Sequence, residues 1–217
     1  MKNLLSKELR LSTPILTYIF IAFALMTFIP GYPILCGAFF VCLGIFQGYQ
    51  YARESNDVMY SVLLPIKKSD VVKAKYLSAV FIELMAFGIC AVCTVIRMTV
   101  FADSFVYKHN VLMAANPVFL AFVLLIFLSF NVIFIGGFFK TAYKFASSFV
   151  SFIIVNFIII GAGEALHHLP GLSFLNEISG NMMGLQYIIL IISTVVFILG
   201  SILSCILSQK CFEKIDL

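Results

Sequence analysis

Six long apolar stretches constrain the fold of this chain more than any other feature of its sequence. They cover Pro14–Ile29, Ile34–Tyr51, Tyr76–Val100, Pro117–Phe139, Phe145–Gly163 and Leu185–Ser208. A membrane-spanning helix needs about 20 mostly apolar residues, whereas a membrane β-barrel would show segments of about ten alternating residues. With 62% hydrophobic and 11% charged residues, the chain also lacks the polar side chains that a surface in water requires. The sequence therefore predicts an all-α polytopic membrane protein with six transmembrane helices.

The basic residues indicate how these helices are oriented. If the six stretches alternate across the membrane, twelve basic residues share one side: Lys2, Lys7, Arg10, Arg53, Lys67, Lys68, Lys73, Lys75, Lys140, Lys144, Lys210 and Lys214. Lysine and arginine favour the cytoplasmic side, so we expect both termini in the cytoplasm. The net charge of +4 is spread along one membrane face and predicts no nucleic-acid partner.

A few polar residues fall inside the apolar stretches. Glu83 lies about 10 Å from the cytoplasmic end of the third stretch, at 1.5 Å per helical residue, and Gln47, Asn131 and Asn156 lie at comparable depths. Such residues either line a substrate path or form hydrogen bonds between helices, and both interpretations stay open. Arg97, near the outer end of the third stretch, is expected to extend its side chain to the outer surface.

The sequence predicts no catalytic residue, metal site or cofactor in this chain. Glu164, His167 and His168 could share a helical face, but the HExxH order of metalloproteases is absent. No phosphate-binding loop or nucleophile elbow is present. Five of the six cysteines fall within apolar stretches, where small packing residues are expected.

The loop between the second and third stretches, residues 52–75, contains a short amphipathic pattern. Ser55, Asn56 or Asp57 can cap a helix that ends at Pro65. Val58, Met59, Val62 and Leu63 are predicted to share its apolar side. An apolar face just outside the membrane needs a partner, either lipid or a cytosolic protein.

The segment Asn56–Leu77, NDVMYSVLLPIKKSDVVKAKYL, resembles the loop after the second span in type-two permeases of ATP-binding-cassette (ABC) exporters, a bacterial membrane-subunit family. The six stretches and the short basic N-terminal segment agree with that family. Within it, the chain most resembles small bacterial peptide-exporter permeases such as that of the phenol-soluble modulin exporter.

The resemblance implies a multi-pass protein of the bacterial cytoplasmic membrane whose ATP and Mg²⁺ are bound by separate cytoplasmic ATPase subunits. A second permease, identical or related, would complete the transporter. Segments 1–12, 164–184 and 209–217 would be an interfacial elbow helix, an outer gate loop and a cytoplasmic tail. The implied ATPase-coupling helix comprises Asn56, Asp57, Val58, Met59, Tyr60, Val62, Leu63 and Leu64.

Two other functions remain open at this point. One is an ATP-independent channel or secondary transporter that uses Glu83 as a proton or ion site. The other is an intramembrane hydrolase built on Glu164, His167 and His168.

Overall fold

All regular structure in the computed structural model, which describes residues 2–63, 65–108, 110–140, 145–180 and 182–215, is helical. The α-helices are α1 (Lys2–Lys7), α2 (Ile15–Phe20), α3 (Cys36–Glu54), α4 (Asp57–Leu63), α5 (Lys68–Thr99), α6 (Phe105–Lys108), α7 (Pro117–Ser129), α8 (Gly136–Lys140), α9 (Ala146–Leu166) and α10 (Met183–Glu213). π-helical segments cover Glu8–Ser12 and Phe130–Ile135, and 3₁₀ segments cover Ile21–Phe28 and Ser173–Asn176.

Four helices of the described chain are long and apolar enough to cross a membrane. They are Lys68–Thr99, Pro117–Lys140, Ala146–Leu166 and Met183–Glu213, and they contain most of each of the last four predicted stretches. Asn3–Ser12 and Ile15–Phe28 form a pair bent by 88°, which gives five spans if the pair counts as one. The prediction of an all-helical, multi-pass membrane protein is therefore confirmed.

The first two predicted stretches are helical but differ from a standard span. α3 has 19 residues, yet the polar side chains of Gln47, Gln50 and Arg53 lower the hydropathy of its second half. The first stretch becomes six α-helical and eight 3₁₀-helical residues. A count of six spans stays a prediction for these two segments.

The helix Pro117–Lys140 forms the centre of the molecule. In its most apolar part 67% of the residues are buried, against 22–39% for the other three long helices, and it packs against α3, α5, α9 and α10. Phenylalanine rings fill the space around it, including Phe127, Phe130, Phe134, Phe138 and Phe139. It begins at Pro117, as predicted, and the Asn116 side chain caps it by accepting a hydrogen bond from the Phe119 N–H at 3.0 Å.

Glycine allows close helix contact where α2 crosses α3. A Cβ atom at Gly44 would lie 2.5 Å from the Cβ of Phe20, and Thr17 Oγ1 donates a hydrogen bond to the Gly44 carbonyl at 2.7 Å. Gly44 therefore allows close helix packing inside this chain.

Candidate functional site

The helix α4 presents an apolar surface away from the rest of the protein. Met59, Tyr60 and Leu63 are 49%, 67% and 78% exposed, and we call these three residues the α4 surface. Val58 and Ser61 point inward and are buried. The prediction that Val58 shares a face with Met59 and Leu63 is therefore wrong: at 3.6 residues per turn, positions 58 and 61 lie on one side and positions 59, 60 and 63 on another.

The ends of α4 follow from local chemistry. Asn56 adopts a left-handed backbone conformation with φ of 51°, which asparagine tolerates better than most residues. Its carbonyl accepts a hydrogen bond from the Tyr60 N–H at 3.0 Å, and Asp57 provides a negative charge in the first turn. Leu64 and the side chain of Val62 lie outside the described residues.

Four charged side chains hold α4 against the N-terminal segment and α5. Lys75 Nζ lies 2.8 Å from Glu8 Oε2 and 3.0 Å from Asp57 Oδ2. Lys7 Nζ lies 3.1 Å from Glu8 Oε1 and also contacts Asp57 Oδ1. We call Lys7, Glu8, Asp57 and Lys75 the charge cluster. Two ammonium groups face two carboxylates, so its formal charge is balanced.

Hydroxyl groups complete the contacts of the charge cluster. Lys7 Nζ donates to Ser61 Oγ at 2.9 Å, and Ser12 Oγ donates to Asp57 Oδ2 at 3.2 Å. Glu8 and Lys75 are 2% and 4% exposed, so their bonds are shielded from water. Charge-assisted hydrogen bonds of this kind are about twice as strong as neutral ones, which fixes the position of α4.

The charge cluster shifts the pKa values of its more accessible members. Burial alone would raise the pKa of Asp57, but the charges and hydrogen bonds of Lys75 and Lys7 outweigh it and hold that pKa below its usual 3.8. Burial alone would lower the pKa of Lys7, but its hydrogen bonds and charge interactions with Asp57 and Glu8 raise it above its usual 10.5. Both groups therefore stay charged across the neutral range.

A second polar group lies inside the helix bundle. Glu83 and Asn131 are fully buried, and Asn131 Nδ2 donates to Glu83 Oε2 at 2.8 Å. Asn131 Nδ2 also lies 3.3 Å from Ser201 Oγ. The hydroxyl of Tyr76 is 2.8 Å from Ser204 Oγ. These bonds connect α5, the π-helical segment Phe130–Ile135 and α10, as the hydrogen-bonding interpretation of Glu83 predicts.

The two other predicted interior residues are not bonded to Glu83 in the described structure. Asn156 is fully buried, and neither of its amide atoms has a hydrogen-bond partner among the described residues. Gln47 is half-buried on α3. Glu83 lines neither the small cavity beside Lys75 nor the larger groove between α5 and α10.

Arg97 does not reach the outer surface as the sequence predicts. It is buried, and its Nη1 donates to the Thr27 carbonyl at 2.7 Å. Its guanidinium group lies 4.2 Å from the centre of the Tyr107 ring. The carbonyls at the end of the 3₁₀ segment lack helical partners, and Arg97 supplies a donor to one of them.

Glu164 and His167 bind backbone groups of the loop that precedes α7. Glu164 Oε2 accepts from the Met113 N–H at 2.8 Å, and His167 Nε2 lies 3.1 Å from the Val111 carbonyl. The rings of His167 and His168 have centres 4.0 Å apart and planes tilted by 40°. Among the described residues, no group of three or more His, Cys, Asp and Glu side chains could hold a metal ion.

Sequence reasoning did not find the charge cluster. Glu8 and Lys75 lie 67 positions apart, one in the N-terminal segment 1–12 and the other at the end of the loop 52–75. A weak signal exists, since Glu8 is an acidic residue in an otherwise basic segment and must lie near a cation if it is buried. Only the fold identifies that cation.

These contacts describe a polytopic helical protein whose short exposed helix is held rigidly beside the membrane-spanning helices. The sequence profile of the ABC-2 family transporter proteins matches residues 3–213. The chain therefore belongs to the ABC-2 transporter family, and membership implies a permease, a membrane setting and a partner ATPase subunit. No curated protein and no solved structure matches it.

Proposed function

We propose that this chain is the membrane subunit of an ABC exporter, in which a separate ATPase docks on the α4 surface. The proposal rests on one observation: α4 has an exposed apolar surface and is also firmly attached to the rest of the protein. Met59, Tyr60 and Leu63 are exposed, while the charge cluster joins the same helix to α5. A force on α4 would therefore be transmitted to a helix that is 32 residues long.

The proposed arrangement has six spans with both termini in the cytoplasm of a bacterial cell. At rises of about 1.5 and 2.0 Å per residue, Ile15–Phe28 extends over about 25 Å, and the 19 residues of α3 extend over about 28 Å. Both approach the hydrocarbon thickness of about 30 Å. The 88° bend after Ser12 suits an interfacial elbow helix before the first span.

The proposed assembly contains two permeases and ATPase subunits that bind ATP and Mg²⁺. We propose a homodimer, or a dimer with a related permease, because one chain supplies half of the spans expected in an exporter of this type. The proposed substrate is an amphipathic peptide or another hydrophobic molecule, as in the small exporters that the sequence resembles. Glu83, Gln47, Asn131 and Asn156 remain proposed contacts on its path.

The substitution Leu63→Asp tests the docking surface. Leu63 is 78% exposed, so an aspartate there should leave the fold intact while placing a charge in an apolar interface. The matched control is Val111→Asp, at a residue that is 69% exposed and lies on the proposed outer side. The tagged chain is purified from its native membrane, and the eluate is assayed for an ABC ATPase subunit and for ATP hydrolysis.

We expect the wild-type and Val111→Asp proteins to retain the ATPase and its activity, and the Leu63→Asp protein to lose both while remaining monodisperse. Wild-type hydrolysis in the Leu63→Asp protein would refute docking at the α4 surface. The alternative transporter makes the opposite prediction in proteoliposomes without ATPase. Peptide transport there, abolished by Glu83→Gln, would replace the ABC mechanism with one driven by ions.

A further inference from the structure

A groove on the lateral surface of the protein runs between α5 and α10. It encloses about 500 Å³, within the range of about 300–1,000 Å³ typical of small-molecule sites. The groove belongs neither to the charge cluster nor to the α4 surface. It therefore has no role in the proposed docking of an ATPase.

The groove runs along both helices. On α5 the groove is lined by Tyr76 and by residues that recur every three or four positions: Lys73, Leu77, Val80, Leu84 and Phe87. The opposite wall runs along α10 from Thr194 to Gln209. The 16 residues from Thr194 to Gln209 extend over about 24 Å, so the groove has the length of one extended hydrocarbon chain.

The groove has an apolar middle and carries a charged side chain at one end. Its middle is apolar, and Leu77, Leu84, Ile198 and Ile202 all remain exposed within it. One end carries Lys73, whose side chain is 45% exposed and whose Nζ lies 3.9 Å from Asp70 Oδ1. At 3.9 Å this ion pair is loose and partly solvated, so the ammonium group can bind another anion.

Lys73 also distinguishes between possible occupants of the groove. A helix from a second copy packed along it would cover Lys73 and remove its charge from water, which is costly without a buried anion. An acyl chain fills the same apolar space and ends in a headgroup at the position of the ammonium. An empty groove would forfeit dispersion contacts along both walls.

We propose that the α5/α10 groove binds one acyl chain of an anionic phospholipid, with its headgroup phosphate at Lys73. In the proposed topology this lipid belongs to the cytoplasmic leaflet. The site depends on charge at one end and on apolar shape along the rest. It should therefore prefer phosphatidylglycerol to phosphatidylcholine.

The chain contains no tryptophan, so one introduced indole reports on its own surroundings. Leu84→Trp places the probe in the groove at a residue that is 50% exposed. Leu199→Trp is the control on α10, at a residue that is 56% exposed and does not line the groove. Each full-length protein is reconstituted in phosphatidylcholine vesicles that contain increasing fractions of acyl-brominated phosphatidylglycerol or acyl-brominated phosphatidylcholine.

We expect brominated phosphatidylglycerol to quench the Leu84→Trp protein at mole fractions about fivefold lower than brominated phosphatidylcholine does, since one lysine near the membrane surface contributes about 1 kcal/mol to anionic lipid binding. Adding Lys73→Gln should abolish the preference, while the Leu199→Trp protein should show none. Equal quenching by both lipids in the Leu84→Trp protein would overturn the proposal. Resistance of that probe to both lipids would also overturn it and assign the groove to a protein helix.

Discussion

Replacing Lys75 with methionine removes the more deeply buried of the two ammonium groups that bind both carboxylates of the charge cluster. Its Nζ lies 2.8 Å from Glu8 and 3.0 Å from Asp57, and its side chain is 5% exposed. Methionine retains an unbranched apolar side chain but leaves two carboxylates facing one lysine. Removing one partner from a buried ion pair costs about 3–5 kcal/mol, because the remaining charge is uncompensated.

Thermal unfolding in a neutral detergent measures this loss. At about 2–4 °C per kcal/mol for a chain of this size, we expect the Lys75→Met protein to unfold roughly 6–20 °C below the wild type. Lys73→Met is the matched control on the same helix. Its side chain is 45% exposed and its contact with Asp70 is 3.9 Å long, so the change should stay within about 0.5 kcal/mol.

A double-mutant cycle separates the charge interaction from lost packing. Glu8→Gln removes one of the two carboxylates that lose a positively charged partner in the Lys75→Met protein. The double variant should therefore be more stable than the sum of the two single effects predicts, by about 0.5–3 kcal/mol. Strict additivity, or equal unfolding temperatures for Lys75→Met and Lys73→Met, would refute the account of α4 attachment.

Three further predictions follow from the described contacts. The Asp57 pKa is lowered and the Lys7 pKa is raised, so both groups keep their charges at neutral pH. Proteolysis of the segment that contains α4 should therefore be slow and constant there, and its rate should rise only below about pH 4 or above about pH 10. A change in the proteolysis rate with a midpoint near pH 7 would contradict this. Glu83→Gln keeps an acceptor for Asn131 and should preserve thermal stability and coupled ATP hydrolysis, whereas Glu83→Leu leaves the buried amide with only its longer bond to Ser201 Oγ and should cost about 1–3 kcal/mol. Arg97→Met removes a donor from a buried carbonyl and should cost about 1–3 kcal/mol, and wild-type unfolding of this variant would contradict its structural role.

Sequence periodicity and composition predicted much of the fold because the membrane is a uniform apolar solvent. Each spanning helix must satisfy its own backbone hydrogen bonds and cover them with apolar side chains. The four long helices therefore appear in the sequence as continuous apolar stretches. The Asn116–Pro117 start was also predictable, since capping depends only on neighbouring residues.

The side that each α4 residue faces could not be derived from hydrophobicity alone. Val58 and Met59 are both apolar, yet one is buried and the other is half exposed. The difference follows from Asp57, whose pairing with Lys7 and Lys75 sets the rotation of the helix. The position of the Arg97 side chain could not be derived from the sequence either. An arginine near the end of a span can extend to the membrane surface or bind the end of a neighbouring helix, and its sequence neighbours do not distinguish the two.

The sequence by itself determined that this protein crosses the membrane several times and that a short amphipathic helix lies between two of its apolar stretches. Both properties depend on runs of neighbouring residues. Only the tertiary structure decided that Glu8 and Lys75, which lie 67 positions apart, form a buried pair, and that Glu83 binds Asn131. Coulomb attraction and hydrogen bonding act over a few ångströms in space, so they select partners only after helix packing has brought distant residues together.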